Sequence, residues 1–216
     1  MAFSPDGVRF MASFSDPQES QLNLGSWFLN MVHPLNRRAR CFTLNKKPAH
    51  VTAMAFHPNG KRLALALLKE GPENQCSSAL SAWDIPEFTS SSQTKYTRDF
   101  AFTSLVFIQE RNRLIAGATE PHTESGAIVL WDLSTGAYKQ VFRDLQPQSL
   151  VTSVASYRGR SCFAAGFRNS KVKVWNTDSL KLIRALSCHR DTVVSVRFDP
   201  REGQLVSADA QGKVKF

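Results

Sequence analysis

The sequence predicts an all-β fold of repeated units, each made of four short antiparallel strands. Three observations predict it. A phrase recurs along the chain: "MAFSPDG" at 1–7 returns as "MAFHPNG" at 54–60 and in weaker form three more times. A tryptophan phrase follows each of its first four occurrences. Between the turns, apolar residues alternate with period two over short runs, the pattern of half-buried strands and not of helices.

The first phrase opens each unit. "VTAMAFHPNGKRLALAL" (51–67) aligns with "FTSLVFIQERNRLIAGAT" (102–119), "VTSVASYRGRSCFAAGF" (151–167) and "VVSVRFDPREGQLVSAD" (193–209). The equivalent positions Phe3, Phe56, Phe107, Ser156 and Phe198 stand 53, 51, 49 and 42 residues apart. Each phrase gives a strand, a turn such as Pro58-Asn59-Gly60, and a second strand. Long connections are expected next, at about 16–21, 68–78 and 119–125. The third strand carries the second phrase: "LNLGSWF" (22–28), "ALSAWDI" (79–85), "AIVLWDL" (127–133) and "KVKVWNT" (171–177). In the last of these, Val172 and Val174 are read as one face, Lys171 and Lys173 as the other. Trp27, Trp83, Trp131 and Trp175 are spaced 56, 48 and 44 residues apart. A fourth strand follows at 39–44, 95–100, 137–142 and 181–186, with the run "TSSSQT" (89–94) read as a flexible connection.

A repeat of about 40–45 residues, four strands long and closed by Trp-Asp, resembles a blade of the WD40-repeat family. Trp83-Asp84 and Trp131-Asp132 carry the name-giving dipeptide, Trp175-Asn176 is a near match, and Trp27-Phe28 is a poor one. His189 stands where the family's Gly-His histidine falls, with Cys188 in place of the glycine. The resemblance implies structural roles for Trp83, Asp84, Trp131, Asp132, Trp175 and His189. It implies a β-propeller, here an incomplete one over 1–216. Units end near 29, 85, 133 and 177, and a truncated fifth covers 181–216. Met1 falls inside a first strand, and Phe216 aligns with Val174, so the chain is expected to be a piece of a longer propeller.

One departure from the family concerns its hydrogen-bonded tetrad of His, Ser/Thr, Asp and Trp. The Asp is sought six residues before the Trp, where this chain has Ser77, Ser125 and Asn169, with Gln211 in the last unit. No full tetrad is expected.

Composition excludes several classes. With 216 residues and 42% hydrophobic content, the chain can bury a sizeable core. Its longest apolar run, "LALALL" (63–68), is too short to span a membrane, so no membrane insertion is expected. Cys41, Cys76, Cys162 and Cys188 lack Cys-x-x-Cys spacing. They read as free thiols of an intracellular protein, in cytoplasm or nucleus. The net charge of +9 is uneven: residues 151–216 hold 12 Lys/Arg against 5 Asp/Glu. Such asymmetry can mark an acidic partner or nucleic acid.

No nucleophile elbow, phosphate-cradling loop or His-Glu-x-x-His motif occurs. None of the five histidines has ligand spacing to Cys or carboxylates. No catalytic residue, cofactor or metal site is therefore assigned, and the chain is not expected to be an enzyme. Basic "NRRARCFTLNKK" (36–47) interleaves only Phe42 and reads as a solvated edge. The expected function is a non-catalytic scaffold for other proteins within a larger assembly. Its loop-rich top face, so called by resemblance to the family, would carry the contacts. The candidates are Glu70, Pro72, Glu73, Glu120, His122, Glu124, Arg168, His189 and Arg190. The alternative is a propeller that binds nucleic acid or chromatin through its basic C-terminal part, told apart by steep salt dependence.

Overall fold

The computed structural model describes residues 2–5, 10–15, 27–32, 39–44, 50–70, 76–85, 89–97, 100–108, 112–120, 123, 125–146 and 148–216. They form an all-β chain of several four-stranded antiparallel sheets, the arrangement of propeller blades. The chain divides into two compact units, Met1–Arg98 and Asp99–Phe216.

Unit Met1–Arg98 holds two sheets. The first pairs β1 (Ala2–Phe3), β2 (Phe10–Ser15), β3 (Trp27–Val32) and β4 (Ala39–Leu44) in chain order. The second pairs β5 (His50–Phe56), β6 (Arg62–Glu70), β7 (Cys76–Asp84) and β8 (Thr89–Thr97). Consecutive strands of each sheet are separated by at most 11 residues in sequence, fewer than the dozen or more that a parallel crossover needs. Strand β6 reads "LALA" at 63–66, and all four side chains are fully buried. A central strand covered on both faces shows a continuous apolar run in place of alternation. Met11, Phe56, Leu63, Leu65 and Ile85 form the buried cluster of this unit.

Two expectations change here. The connection sought at 68–78 is partly strand, because β6 continues to Glu70 and β7 begins at Cys76. The run "TSSSQT" lies within β8, not in a connection. Its Ser and Thr content masked a strand paired to β7 from Thr89 to Thr97.

Unit Asp99–Phe216 holds three sheets. β9 (Ala101–Ile108), β10 (Arg113–Glu120), β11 (Ser125–Asp132) and β12 (Tyr138–Asp144) form the first. β13 (Val151–Tyr157), β14 (Cys162–Phe167), β15 (Val172–Asn176) and β16 (Leu182–Leu186) form the second. β17 (Val193–Phe198), β18 (Leu205–Asp209) and β19 (Val214–Lys215) form the third.

Strands β9, β13 and β17 lie side by side and are fastened by a repeated device. Thr103 donates its hydroxyl to the carbonyl of Val151 at 2.6 Å, and Thr152 donates to the carbonyl of Val193. The next residue, Ser104, accepts the N–H of Val154 at 3.0 Å, and Ser153 accepts that of Val196 at 3.2 Å. Between these polar clips the sheets bury apolar side chains. Ile115, Ile128, Leu130, Val151, Val154, Phe163, Phe167 and Trp175 make one cluster. Ala155, Val172, Val193 and Val196 make the next. Each full burial of such a side chain is worth about 1.5–3 kcal/mol.

Gly166 in β14 lets the third sheet approach. A Cβ there would stand 2.6 Å from Val193 Cγ1 and 3.2 Å from Val196 Cγ1. Gly166→Ala is therefore expected to overpack this contact and destabilise by about 1–3 kcal/mol. Urea unfolding with an unchanged m-value would measure it, and a midpoint equal to that of the parent would refute the close approach.

The outer strands carry their own protection. Register shifts interrupt the β11–β12 and β15–β16 pairings, between Ile128 and Val129 and between Val174 and Trp175. Bulges of this kind twist an exposed edge and blunt its pairing with other chains.

Candidate functional site

In unit Asp99–Phe216 the three side-by-side strands run in the same direction. The clips show it, since Thr103 meets Val151 while Ser156 donates to Phe107 at 2.9 Å. The β12–β13 and β16–β17 connections therefore gather at one end of the unit. The β10–β11, β14–β15 and β18–β19 connections gather with them. Hydrogen bonds to main-chain carbonyls join four of these segments. The N–H of Arg168 donates to Leu150 at 2.9 Å, Thr192 donates its hydroxyl to the carbonyl of Arg168 at 3.2 Å, and the N–H of Ala210 donates to Thr192 at 2.9 Å.

The polar chemistry beneath this end is turned inward. His189 is buried between Ser207 and Asp209. Its Nδ1 lies 2.9 Å from Asp209 Oδ2, and its Nε2 lies 2.8 Å from Ser207 Oγ. A carboxylate can only accept, so Nδ1 carries a proton, and in the neutral ring Nε2 accepts from Ser207. Asp209 Oδ1 also takes the N–H groups of Gln211 and Lys213. Burial opposes ionisation of Asp209, but the bonds from His189 and the two N–H groups outweigh it. They hold its carboxyl below the usual range.

A second network lies one sheet away. Lys173 Nζ donates to Asp144 Oδ2 at 2.7 Å, with the two side chains only 12% and 8% exposed. The same ammonium sits 4.4 Å from the centre of the Phe142 ring and 5.1 Å from that of Phe167. Burial raises the Asp144 carboxyl, and the bond from Lys173 with the nearby charge of Lys171 brings it below its ordinary value.

Lys173 shares a face with Trp175, two residues on, as alternation along this strand expects, and that face is turned inward here. The Asp209 network departs from the sequence expectation. Counting back six residues from a tryptophan position gave Gln211, whereas the carboxylate stands at Asp209, the last residue of β18. Three of the four tetrad groups are therefore present in the last sheet.

The candidate residues are placed as follows. Trp131 and Trp175 are fully buried, and Trp83 is half-buried. The Nε1 atoms of Trp83 and Trp131 are enclosed without a partner among the described residues. Asp84 accepts from Arg62 at 2.8 Å. Asp132 accepts from Arg113 at 3.3 Å and from Ser134, whose hydroxyl helps hold the Asp132 carboxyl low. These pairs tie strand ends within each sheet.

Of the expected partner contacts, His189 is closed to a partner by its burial. Glu120 is engaged by Arg143, by Thr123 at 3.1 Å and by Gln140 at 3.4 Å. Its acidic charge is met within its own sheet. Glu70 ends β6. Pro72, Glu73, His122 and Glu124 lie outside the described residues. Arg168 and Arg190 are exposed.

Among the described residues, no group of three or more His, Cys, Asp or Glu is placed to hold a metal ion. No helix of the described residues is long and apolar enough to cross a membrane.

Asp132, Asp144 and Asp209 share one consequence. Each has a folded-state pKa below that of the unfolded chain, which binds the proton more readily. Their contribution is complete above the ordinary aspartate value of about 3.9 and is lost as pH falls below it. The melting temperature is expected to drop as pH falls below about 4, and to drop less in Asp132→Asn. Equal drops in parent and variant would exclude Asp132 as a contributor.

The family model for the WD domain, G-beta repeat, matches residues 180–216. The segment takes in β16–β19 and the whole His189–Ser207–Asp209 network. The match supports membership of the WD-repeat family. No curated protein matches the sequence.

Proposed function

We propose that the sheets are blades of the WD40 propeller type. The chain acts as a non-catalytic platform for protein partners. WD40 repeats serve generally as interaction scaffolds, and function on such a scaffold lives in surfaces presented by rigid sheets.

One observation carries the reading. The groups with chemistry at the end of unit Asp99–Phe216, Ser207–His189–Asp209 and Asp144–Lys173, are sealed inside and hold turns in place. What remains outward is a set of turns fixed by main-chain bonds. A buried triad with no open side has no room for a substrate, whereas fixed exposed turns suit a docking protein.

The test is affinity capture with Arg168→Glu/Arg190→Glu, checked for parental near-ultraviolet circular dichroism and melting. Proteins captured by the parent and lost by the variant are expected. An unchanged set would place the interface elsewhere. Retention of nucleic acid in place of protein would favour the alternative reading.

A further inference from the structure

We infer that the turn-bearing end of unit Asp99–Phe216 takes an acidic, extended peptide segment, a refinement that rests on the platform reading above. Four cations converge on its turns. Arg168 and Lys171 flank the β14–β15 turn, Arg190 lies between β16 and β17, and Lys213 closes the β18–β19 turn. The bonds from Leu150 to Arg168, Arg168 to Thr192 and Thr192 to Ala210 make the three segments one continuous surface. Arg168, Arg190 and Lys213 are exposed and Lys171 is half-buried. No described carboxylate forms an ion pair with any of the four.

The described carboxylates of this end have partners within the chain. Glu120 is taken by Arg143, Asp144 by Lys173, and Asp209 by His189 and two turn N–H groups. Asp191 is half-buried and turns one oxygen onto the N–H of Thr192 at 2.6 Å. Among the described residues, the carboxylates of this end are thus engaged within the chain, while Arg168, Arg190 and Lys213 stand exposed. The positive potential therefore points at solvent and favours an acidic partner.

Two features favour a peptide over a nucleic acid. The turns 144–150, 168–171, 187–192 and 210–213 contain no Phe, Tyr or Trp on which a base could stack. The β12–β13 connection at the same end does present Leu145, 72% exposed, as an apolar seat. An extended segment alternating carboxylates with an apolar side chain meets both features.

Fluorescence anisotropy on the full 216-residue chain tests this. The probe is a short fluorescein-labelled peptide of alternating Glu and Leu. Its Lys counterpart and single-stranded oligo(dT) are the comparisons. The Glu peptide is expected to bind, and Arg168→Glu/Arg190→Glu to weaken it about ten-fold. Arg168→Gln/Arg190→Gln should weaken it less. Arg201→Glu, in the β17–β18 connection at the opposite end, should leave it unchanged. Failure of the Glu peptide to bind, or an equal loss in Arg201→Glu, overturns the inference. Tighter oligo(dT) binding with the same charge dependence replaces it by the nucleic-acid reading. If the peptide fails while the capture experiment still loses proteins in the Glu variant, the platform reading stands and only the acidic-segment inference falls.

Discussion

Trp175→Ala is expected to destabilise unit Asp99–Phe216 by about 3–5 kcal/mol, the range for large aromatic truncations in a packed core. Trp175 is 1% exposed. It stacks on Phe163 with ring centres 5.2 Å apart and planes at 9°, and meets Phe142 edge-on at 5.1 Å. Phe163 belongs to the same sheet and Phe142 to the preceding one, so the indole joins two sheets. Its removal opens a cavity whose walls are strands fixed by hydrogen bonds and unable to collapse far. Trp131 offers a contrast. It is equally buried, but its Nε1–H has no partner among the described residues. Trp131→Phe removes that orphan donor along with ring volume, so the two changes oppose one another. Trp131→Phe should therefore cost markedly less than Trp131→Ala. Urea unfolding of the variants measures both differences. A Trp175→Ala midpoint within error of the parent would show that the ring does not join the sheets.

The strand pattern was legible because burial in a sheet is periodic. Alternation over two residues survives in a single sequence, and the recurring phrase fixed its phase from unit to unit. The Thr-Ser pairs at 103–104 and 152–153 stood inside that phrase. Their role as clips between sheets needed the structure, since each bonds to a residue about 40–50 positions away. A separation of 23 residues likewise hid the partner of Glu120. Nothing near it in sequence announces Arg143, so a carboxylate beside a turn read as available when its charge was already met across the sheet. Alternation separates Lys173 from Val172 and Val174, but that its face is turned inward beside Trp175 shows only in the structure. Asp209 was missed by counting from an expected tryptophan. A register anchored on a residue beyond the strand is less secure than one anchored on the strand's own alternation, which puts Ser207 and Asp209 on one buried face.

The inward lysine also gives the second large effect. Asp144→Ala is expected to cost about 3–5 kcal/mol, because it leaves the Lys173 ammonium in a nearly dry site without its counter-charge. The rings of Phe142 and Phe167 offer only partial compensation, since a cation over an aromatic face gains about 0.5–2 kcal/mol. Lys173→Met alone should cost a similar amount for the opposite reason, stranding the Asp144 carboxylate. That loss should ease at acid pH, where the stranded group can take up a proton. The pair separates attraction from desolvation when both members are replaced. In Asp144→Ala/Lys173→Met no buried charge remains, and the methionine can lie against Phe142, Phe167 and Trp175. Desolvating both ions weighs against the bridge in the parent, so the double variant should recover most of the loss seen in either single one. If the two single losses instead add in the double variant, the groups act independently and the 2.7 Å contact contributes no coupling. Recovery would mean that the network sets the register between the second and first sheets of the unit more than it raises their stability. Such a role fits a bridge seated at the foot of the turns that carry Arg168 and Lys171.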